Sequence, residues 1–413
     1  MSAPSHKLAK TDEGSSKVLL FIIILNMFLP AAFPSRTLAF ELTGYVKAEG
    51  KYFFNEALYS RQQRSCISVV AQPELYHEWE SGSSFIATPF ARIDSVDAER
   101  SHFDIRELNY QWVHDTWELR IGIGKVFWGV TEFVHLVDII NQTDLVEHID
   151  GEEKLGQPMA HLSLAREWGV MDMFILPYFR ERTFPGRRGR LRSRIVVDTD
   201  KAKYESSAEQ YNIDLALRYS RTVSAWDFGI YHFAGTGREP TFLLKINSEG
   251  RLRLAPFYEQ INQTGLDVQS VIGNWLYKLE TLYRTGQGDG FFACVGGFEY
   301  TFINMASSGI DLGLIGEWAY DDRDNPYTTG FDNDLMAGAR MAFNDAASTE
   351  ALMGIIQDLN STGTAFTLEA SRRITDHWKI SIDAFFVLDS SDRDTIHDLR
   401  NDDYLQLELF YYF

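Results

Sequence analysis

Arginines crowd one segment of this chain, although its formal net charge is −19. Clustered guanidinium groups attract anions and bind phosphate or carboxylate oxygens through paired hydrogen bonds. The segment 182–207 therefore predicts either a vestibule that concentrates anionic solutes or a surface that contacts phosphate groups. The arginines concerned are Arg182, Arg187, Arg188, Arg190, Arg192 and Arg194.

Residues that could support catalysis or hold a metal are present, but not at a recognised spacing. The sequence has no G-x-S-x-G, H-E-x-x-H, P-loop or dinucleotide-binding motif. Cys66 and Cys294 lie far apart without a zinc-type cluster, and both a disulfide and two unpaired thiols are open. Aspartates within 321–334 lack the spacing of an EF-hand calcium loop. We therefore expect no enzyme, no metal and no cofactor.

The start of the chain resembles an export signal. Lysines precede an apolar run at 18–29, which is shorter than the about 20 residues that a membrane-spanning helix needs. Small residues allow cleavage after Ala39, with Ala32 as a second site and an uncleaved anchor as the alternative. We expect a signal peptide at 1–39 and one folded domain at 40–413.

Period-2 alternation dominates the chain after residue 40. In Trp117–Gly124 the apolar residues occupy one face, and Glu118 and Arg120 lie on the other. Aromatic residues make up 14% of the chain, as suits a wall with aromatic girdles at the membrane interfaces. We predict an all-β fold, a transmembrane antiparallel up-and-down β-barrel of about 18 strands. Sixteen strands are possible, because 235–273 is hard to divide.

The predicted strands are separated alternately by short and long connections. Such alternation is typical of outer-membrane barrels, with short turns in the periplasm and long loops outside. The predicted strands are 41–54, 66–80, 83–94, 102–114, 116–128, 158–168, 170–181, 208–220, 224–235, 256–270, 274–285, 291–303, 309–320, 332–343, 349–358, 363–373, 377–388 and 403–413. The long connections are 129–157, 182–207, 236–255, 321–331 and 389–402.

The connection at 129–157 combines apolar and acidic residues. Phe133, Leu136, Val137, Ile140 and Asp144 fall at roughly helical spacing. One interpretation is a loop that folds into the lumen and narrows it, because an external loop this apolar would expose an apolar patch. The other is an external cap. The predicted constriction residues are Asp138, Asp144 and Glu147.

Strand parity predicts which charged side chains face the lumen. A charge on the lipid face costs about 2–4 kcal/mol for Arg or Lys at the midplane, so these side chains should point inward. They either form salt bridges that only fill the space inside the wall, or they create an electric field across the pore that selects ions. The predicted pore-lining residues are Glu107, Asn109, Gln111, Glu118, Arg120, Lys278, Glu280, Glu299, Glu317, Arg340, Glu369, Lys379 and Asp383.

Several stretches resemble a family of uncharacterised proteobacterial porin-like outer-membrane proteins. The stretches are Asp104–Val130, Leu276–Phe302 and Leu368–Ile382. They include the pattern R-x-G-x-x-x-x-x-W-G, matched by Arg120, Gly122, Trp128 and Gly129, the strand GFEYTF and a DDYLQLEL end. The resemblance covers most of the mature chain and implies a porin-like barrel, but it assigns no functional residue.

Phe413 is the last residue of an alternating strand. An aromatic residue in this position resembles the C-terminal signal that outer-membrane barrels present to their assembly machinery. We therefore expect the outer membrane of a Gram-negative bacterium, and as partners the assembly machinery, membrane lipid, lipopolysaccharide and a small solute. The acidic balance argues against nucleic acid.

The expected function is passive diffusion of small solutes through a polar lumen. The alternatives are a sealed structural barrel that acts through its loops, and a hydrolase on the rim. The solute, the ion preference, the openness of the lumen and the oligomeric state are open.

Overall fold

Eighteen antiparallel strands form a closed barrel in which β1 pairs with both β2 and β21. The computed structural model describes residues 40–247, 250–323, 330–392 and 394–413, so the expected signal peptide lies outside the described residues. The predicted strand number is confirmed, and every predicted barrel strand has a counterpart. In chain order the strands are β1 (Glu41–Phe53), β2 (Ser65–Glu78), β3 (Ser84–Asp94), β4 (Phe103–His114), β5 (Trp117–Gly124), β6 (Gln157–Arg166), β7 (Gly169–Leu176), β8 (Lys203–Tyr204), β9 (Asp214–Val223), β10 (Trp226–Thr236), β11 (Thr241–Ile246), β12 (Leu252–Tyr258), β13 (Gln260–Ile272), β14 (Trp275–Gly286), β15 (Gly288–Phe302), β16 (Asp311–Asp321), β17 (Asn333–Ala342), β18 (Glu350–Asp358), β19 (Thr364–Arg373), β20 (Trp378–Asp389) and β21 (Tyr404–Tyr412).

Three of these strands, β8, β11 and β12, form a separate small sheet outside the wall. Strands β11 and β12 make a hairpin, and β8 adds to it in parallel. This hairpin explains why 235–273 is hard to divide into strands from the sequence. Its polar and apolar residues alternate as they do in the wall strands, but the hairpin is not part of the wall. The other regular elements of the described chain are short 3-10 helices at Thr199–Lys201, Glu209–Tyr211, Met305–Ser307 and Thr395–Leu399. Nowhere in the described ranges is there a helix both long and apolar enough to cross a membrane.

The connections distinguish the two ends of the barrel. At one end, here the turn end, β4 and β5 are joined by two residues, as are β6 and β7, β9 and β10, and β13 and β14. At the other, here the loop end, the longest connections are 125–156, 177–213, 237–259 and 390–403. Strand β5 ends earlier than predicted because the chain turns into the barrel. The backbone N–H of Val126 donates to the Asn141 side chain and not to a neighbouring strand.

The wall alternates between an apolar outer face and a polar inner face. On β14, Trp275, Tyr277 and Leu279 are exposed on the outside, whereas Lys278 and Glu280 are buried inside. The period of two in a strand puts neighbours on opposite faces, so the barrel separates the two kinds of side chain over its whole surface. An outer face this apolar fits a lipid environment.

Tryptophans mark the turn end of the wall. Trp117, Trp226, Trp275 and Trp378 each begin a strand that rises from a short turn, and Trp168 lies in the turn before β7. Trp378 packs against Tyr411 of β21 with ring centroids 5.0 Å apart. An aromatic row at one level is typical of the interface between lipid headgroups and hydrocarbon.

The two cysteines are unpaired, so no disulfide links them. Cys66 lies on β2 and Cys294 on β15. The N–H of Phe413 donates to the Gly44 carbonyl at 3.1 Å, which extends the pairing of the last strand with β1 to the final residue. The Phe413 side chain is exposed on the outer face.

Candidate functional site

The connection between β5 and β6 lies inside the barrel. We call residues 125–156 the lumenal loop. Its backbone is held by Glu280, an inward carboxylate of β14 whose accessible surface is 0% of its full value. One oxygen of Glu280 accepts the N–H groups of Val130 and Thr131 at 2.6 and 2.9 Å, and the other accepts that of Val137 at 3.2 Å. Hydrogen bonds that backbone N–H groups donate to a carboxylate are among the strong ones in proteins. Glu280 therefore holds this part of the loop against the wall.

A second wall carboxylate holds the same part of the loop. Glu317 of β16 accepts the N–H groups of Glu132 and Phe133 at 2.8 and 3.1 Å. The Phe133 ring lies over Gly338 and Gly354, and a Cβ at Gly354 would come within 2.4 Å of it. These glycines leave space for the ring, so the first half of the loop is fitted to β14, β16, β17 and β18.

The second half of the loop is bound to the opposite wall by buried ion pairs. Arg106 of β4 lies 2.7 Å from Asp144, and Arg92 of β3 donates to both oxygens of Glu147 at 2.6 and 2.5 Å. Burial alone would raise the pKa of Asp144, but the hydrogen bond from His102 and the charge of Arg106 hold it well below its usual range. Asp144 is therefore ionised, and both carboxylates anchor the loop to the wall arginines.

A third anchor is His148. Its Nδ1 lies 2.7 Å from Asp150, and its Nε2 lies 3.3 Å from both Asp383 of β20 and the hydroxyl of Tyr404 of β21. Burial would lower the pKa of His148, but the two carboxylates raise it well above the ordinary value. A protonated His148 therefore ties the loop to the wall close to the barrel seam.

The apolar residues of the lumenal loop form separate clusters with different parts of the wall. Val137, Ile139 and Ile140 are buried in one cluster with Trp128. This cluster fills the lumen on the side of β6, β7, β9, β10 and β13. The wall members are Met159, Phe174, Leu176, Ala216, Tyr231, Phe233 and Ile261. The predicted helical spacing does not give a helix, because the apolar side chains serve several different walls.

On the other side a cavity of about 440 Å³ separates the lumenal loop from the inner faces of β17–β21. Apolar patches from Phe331 and Ile356 and from Phe385 and Leu399 line it. Its described lining includes no lysine or arginine. The lining carboxylates are Glu132, Asp150, Glu152, Asp332, Asp334, Asp358, Glu369, Asp383 and Asp394.

Part of this negative charge is balanced. Glu132 lies 2.5 Å from Arg340 and 3.3 Å from Lys278, two cations on the inner face below the cavity. These charges lower the pKa of Glu132 although burial would raise it. Asp150 and Asp383 share His148. Within the described residues, Glu152 is the one further lining carboxylate with a basic partner, because it lies 3.7 Å from His135.

The three predicted constriction residues enter the barrel, but none lines the large cavity. Asp138 accepts the N–H groups of Trp128 and Gly129 at 2.7 and 3.0 Å, and Asp144 and Glu147 bind wall arginines. The carboxylates of this loop that do line the cavity are Glu132, Asp150 and Glu152. The sequence does not distinguish the acids that bind the wall from those that line the cavity, because both kinds occur in the same loop.

The predicted pore-lining residues lie on inner-face positions of β4, β5, β14–β17, β19 and β20. Glu369 and Asp383 line the cavity, Glu280 and Glu317 hold the loop, and Lys278, Glu299 and Arg340 join the ion-pair cluster around Glu132. The remaining members lie nearer the turn end: Glu107, Asn109, Gln111, Glu118, Arg120 and Lys379.

The predicted basic loop covers other loops and presents only part of its charge to solvent. Arg190 pairs with Asp402 at 2.6 Å and is buried. Arg182 donates to Gln142 of the lumenal loop at 3.1 Å, and Arg192 stacks on Tyr59. Arg188 and Arg194 are exposed, and Arg187 is half-buried. Much of the predicted anion-attracting charge is thus used to hold loops together.

Among the described residues, one contact resembles a catalytic arrangement that spacing did not reveal. Ser390 Oγ lies 3.3 Å from Nδ1 of His397, whose Nε2 lies 3.1 Å from Asp392. The Asp392 side chain is 95% exposed, so water solvates its charge. A catalytic carboxylate is buried and orients its histidine, which this one does not do.

Comparison with known proteins adds little beyond architecture. No protein-family model matches the chain, and no curated protein matches it in sequence. Solved structures similar to it include engineered variants of the Rhodopseudomonas blastica porin. Two of these are 12% identical, with 91% of this chain and 100% of the porin covered, at TM-scores of 0.45 and 0.44. A likeness this distant assigns neither a function nor a solute.

Proposed function

We propose that this protein is a porin-like channel of a Gram-negative outer membrane, through which small solutes diffuse passively. The main support is the incomplete filling of the lumen. The lumenal loop packs its larger apolar cluster against β6, β7, β9, β10 and β13 and the Phe133 ring against β17 and β18, and it still leaves a cavity beside the inner faces of β17–β21. The apolar outer face and the tryptophan row support a membrane location, and the unequal connections support short turns in the periplasm.

The proposed route passes from the loop end through the cavity to the turn end. The Arg340 side chain is 42% exposed and the Lys379 side chain 29% exposed, although both are on the inner face. Their exposure means that solvent enters the lumen from the turn end. Glu132, which pairs with Arg340, and Glu369 both line the cavity, so we place the narrowest part of the route beside these two carboxylates.

Planar-bilayer recording tests the channel. The refolded protein should give discrete conductance steps in KCl. A variant in which a short Gly-Ser linker replaces residues 130–153 should give larger steps, because the obstruction is removed while the wall hydrogen bonds remain. The absence of steps from the wild-type protein at high protein load would refute the proposal, whether or not the variant conducts.

A sealed barrel that acts through its loops is the second candidate. It is favoured by the distribution of the loop anchors, which reach β3, β4, β14, β16, β20 and β21. Under this alternative the wild type would not conduct, and deletion of residues 186–203 would abolish binding to lipopolysaccharide. Under the channel proposal, conductance survives that deletion.

The third candidate is a hydrolase on the rim, which would have to use the Ser390–His397–Asp392 contact although the exposed Asp392 does not favour it. Lipid or peptide hydrolysis that His397→Ala abolishes would support it. A rate of hydrolysis no higher than that without the protein would contradict it.

We also propose that Phe413 is recognised by the barrel assembly machinery. Phe413→Ala should reduce the yield of assembled barrel in cells but not refolding in detergent.

A further inference from the structure

The cavity combines two features that together favour one class of ligand. Its carboxylates attract cations, and its apolar patches accommodate a hydrocarbon or aromatic body. A volume of about 440 Å³ is within the usual range for small-molecule sites, which are mostly apolar with a few convergent polar groups. We propose that this cavity is a binding site for small organic cations with an apolar body, such as primary alkylammonium ions. The proposal rests on the proposed channel function and names its preferred solute.

Asp394 provides an independent observation for a cationic ligand. It is 8% exposed and lies on the cavity wall. One of its oxygens accepts the N–H of Ser391, but the other, Oδ1, is buried and has no hydrogen-bond partner among the described residues. An unpartnered buried carboxylate oxygen is costly. An ammonium group in the cavity would supply the missing donors.

Other carboxylates of the cavity add to the negative charge beside Asp394. Asp334 of β17 and Asp358 of β18 are directly opposite in the strand pairing, and both line the cavity. No described basic side chain lies within ion-pair distance of Asp334, Asp358, Glu369 or Asp394. The cavity therefore holds several carboxylates without a described ion-pair partner. Elsewhere on the inner face, acids such as Glu49 and Asp267 are paired with arginines.

The apolar walls discriminate against a bare inorganic cation. Phe331 and Ile356 belong to a cluster with Phe133 of the lumenal loop, and Phe385, Ile396 and Leu399 belong to a cluster on the other side. A hydrated metal ion gains nothing from these surfaces. An alkyl chain placed between them is removed from water, and each buried methylene contributes to binding.

The test measures block and binding with n-hexylammonium chloride. The comparison probes are ammonium chloride, sodium hexanoate, 1-hexanol and calcium chloride. In bilayers, hexylammonium should reduce the K⁺ current at concentrations about tenfold lower than ammonium, because of its apolar body. Hexanoate and hexanol should not block in this range. Isothermal titration calorimetry on the refolded barrel in detergent should show the same order of affinity.

Two variants and one matched control complete the design. Asp394→Asn and Glu369→Gln should each weaken hexylammonium binding about fivefold. Glu118→Gln, an inner-face acid on β5 outside the cavity, should leave it unchanged. Circular dichroism and heat-modifiable gel migration establish that each barrel is folded. Leu399→Ala should weaken hexylammonium but not ammonium.

The possible failures are separable. If the protein conducts K⁺ but hexylammonium neither binds nor blocks, the cation site is wrong and the channel stands. If calcium competes and hexylammonium does not, or if Glu118→Gln has the same effect as Asp394→Asn, the cation site is also wrong. If no current appears but calorimetry shows binding that Asp394→Asn weakens, the channel proposal fails and the site remains.

Discussion

Replacing Glu280 should release the lumenal loop without opening the wall. Its carboxylate accepts three backbone N–H groups and the Thr131 hydroxyl, which donates at 2.7 Å. Glu280→Ala leaves these donors buried without an acceptor. A buried donor left without an acceptor costs about 1–3 kcal/mol, so the loss of these hydrogen bonds should cost about 3–5 kcal/mol in total once water relieves part of it. That is about a 10²- to 10⁴-fold shift of the loop towards a released state.

The barrel should survive this change. The strand hydrogen bonds of β14 to β13 and β15 involve the backbone, and Glu280 takes no part in them through its side chain. The expected results are a larger and noisier conductance and proteolysis within residues 125–156. Migration of the unheated barrel on gels should be unchanged. Glu280→Gln keeps one acceptor oxygen and should give a smaller effect.

Glu118→Ala is the matched control, because Glu118 is also an inner-face acid but pairs only with Arg120 of its own strand. It should leave conductance noise and proteolysis at the wild-type level. The reasoning is refuted if Glu280→Ala leaves the loop as protected as in the wild type. It is equally refuted if Glu118→Ala releases the loop to the same extent.

Three further perturbations test other parts of the structure. Because the pKa of His148 is raised in the folded protein, its anchor is complete below the unfolded pKa of about 6.5 and is lost as pH rises through the raised value. Current noise should therefore increase on alkalinisation, and His148→Gln should abolish this pH dependence. Arg190→Ala breaks a buried ion pair and should cost about 3–5 kcal/mol locally, seen as faster proteolysis of 182–207, whereas the exposed Arg194→Ala should not change the rate. Leu279→Arg places a charge on the outer face and should destabilise the barrel in lipid by about 2–4 kcal/mol, measured by urea unfolding in vesicles. Gln111→Arg, which places the same charge on the inner face of β4, should have a smaller effect, and equal effects would contradict the assignment of faces.

The sequence by itself determined the wall. A strand repeats every two residues, so Trp117–Gly124 and Leu405–Phe413 show their two faces directly in the order of residue types. The number of strands follows from the same local pattern. The predicted strands 170–181 and 208–220 extend into the connection between β7 and β9. The main failures are where alternation continues outside the wall, as at β11 and β12, and where β5 turns inward after Gly124. In both places a distant partner decides what the chain does: Asn141 takes the N–H of Val126, and β8 pairs with β12.

Only the tertiary structure decided the contents of the lumen. Asp144 and Asp150 are both acids of one loop, but Asp144 forms an ion pair with Arg106, whereas Asp150 lines the cavity. The choice depends on which wall strand lies opposite, and strands far apart in sequence supply the partners. Asp394 is an ordinary loop aspartate in the sequence. It becomes a candidate ligand only because closure of the barrel buries one of its oxygens beside an empty space.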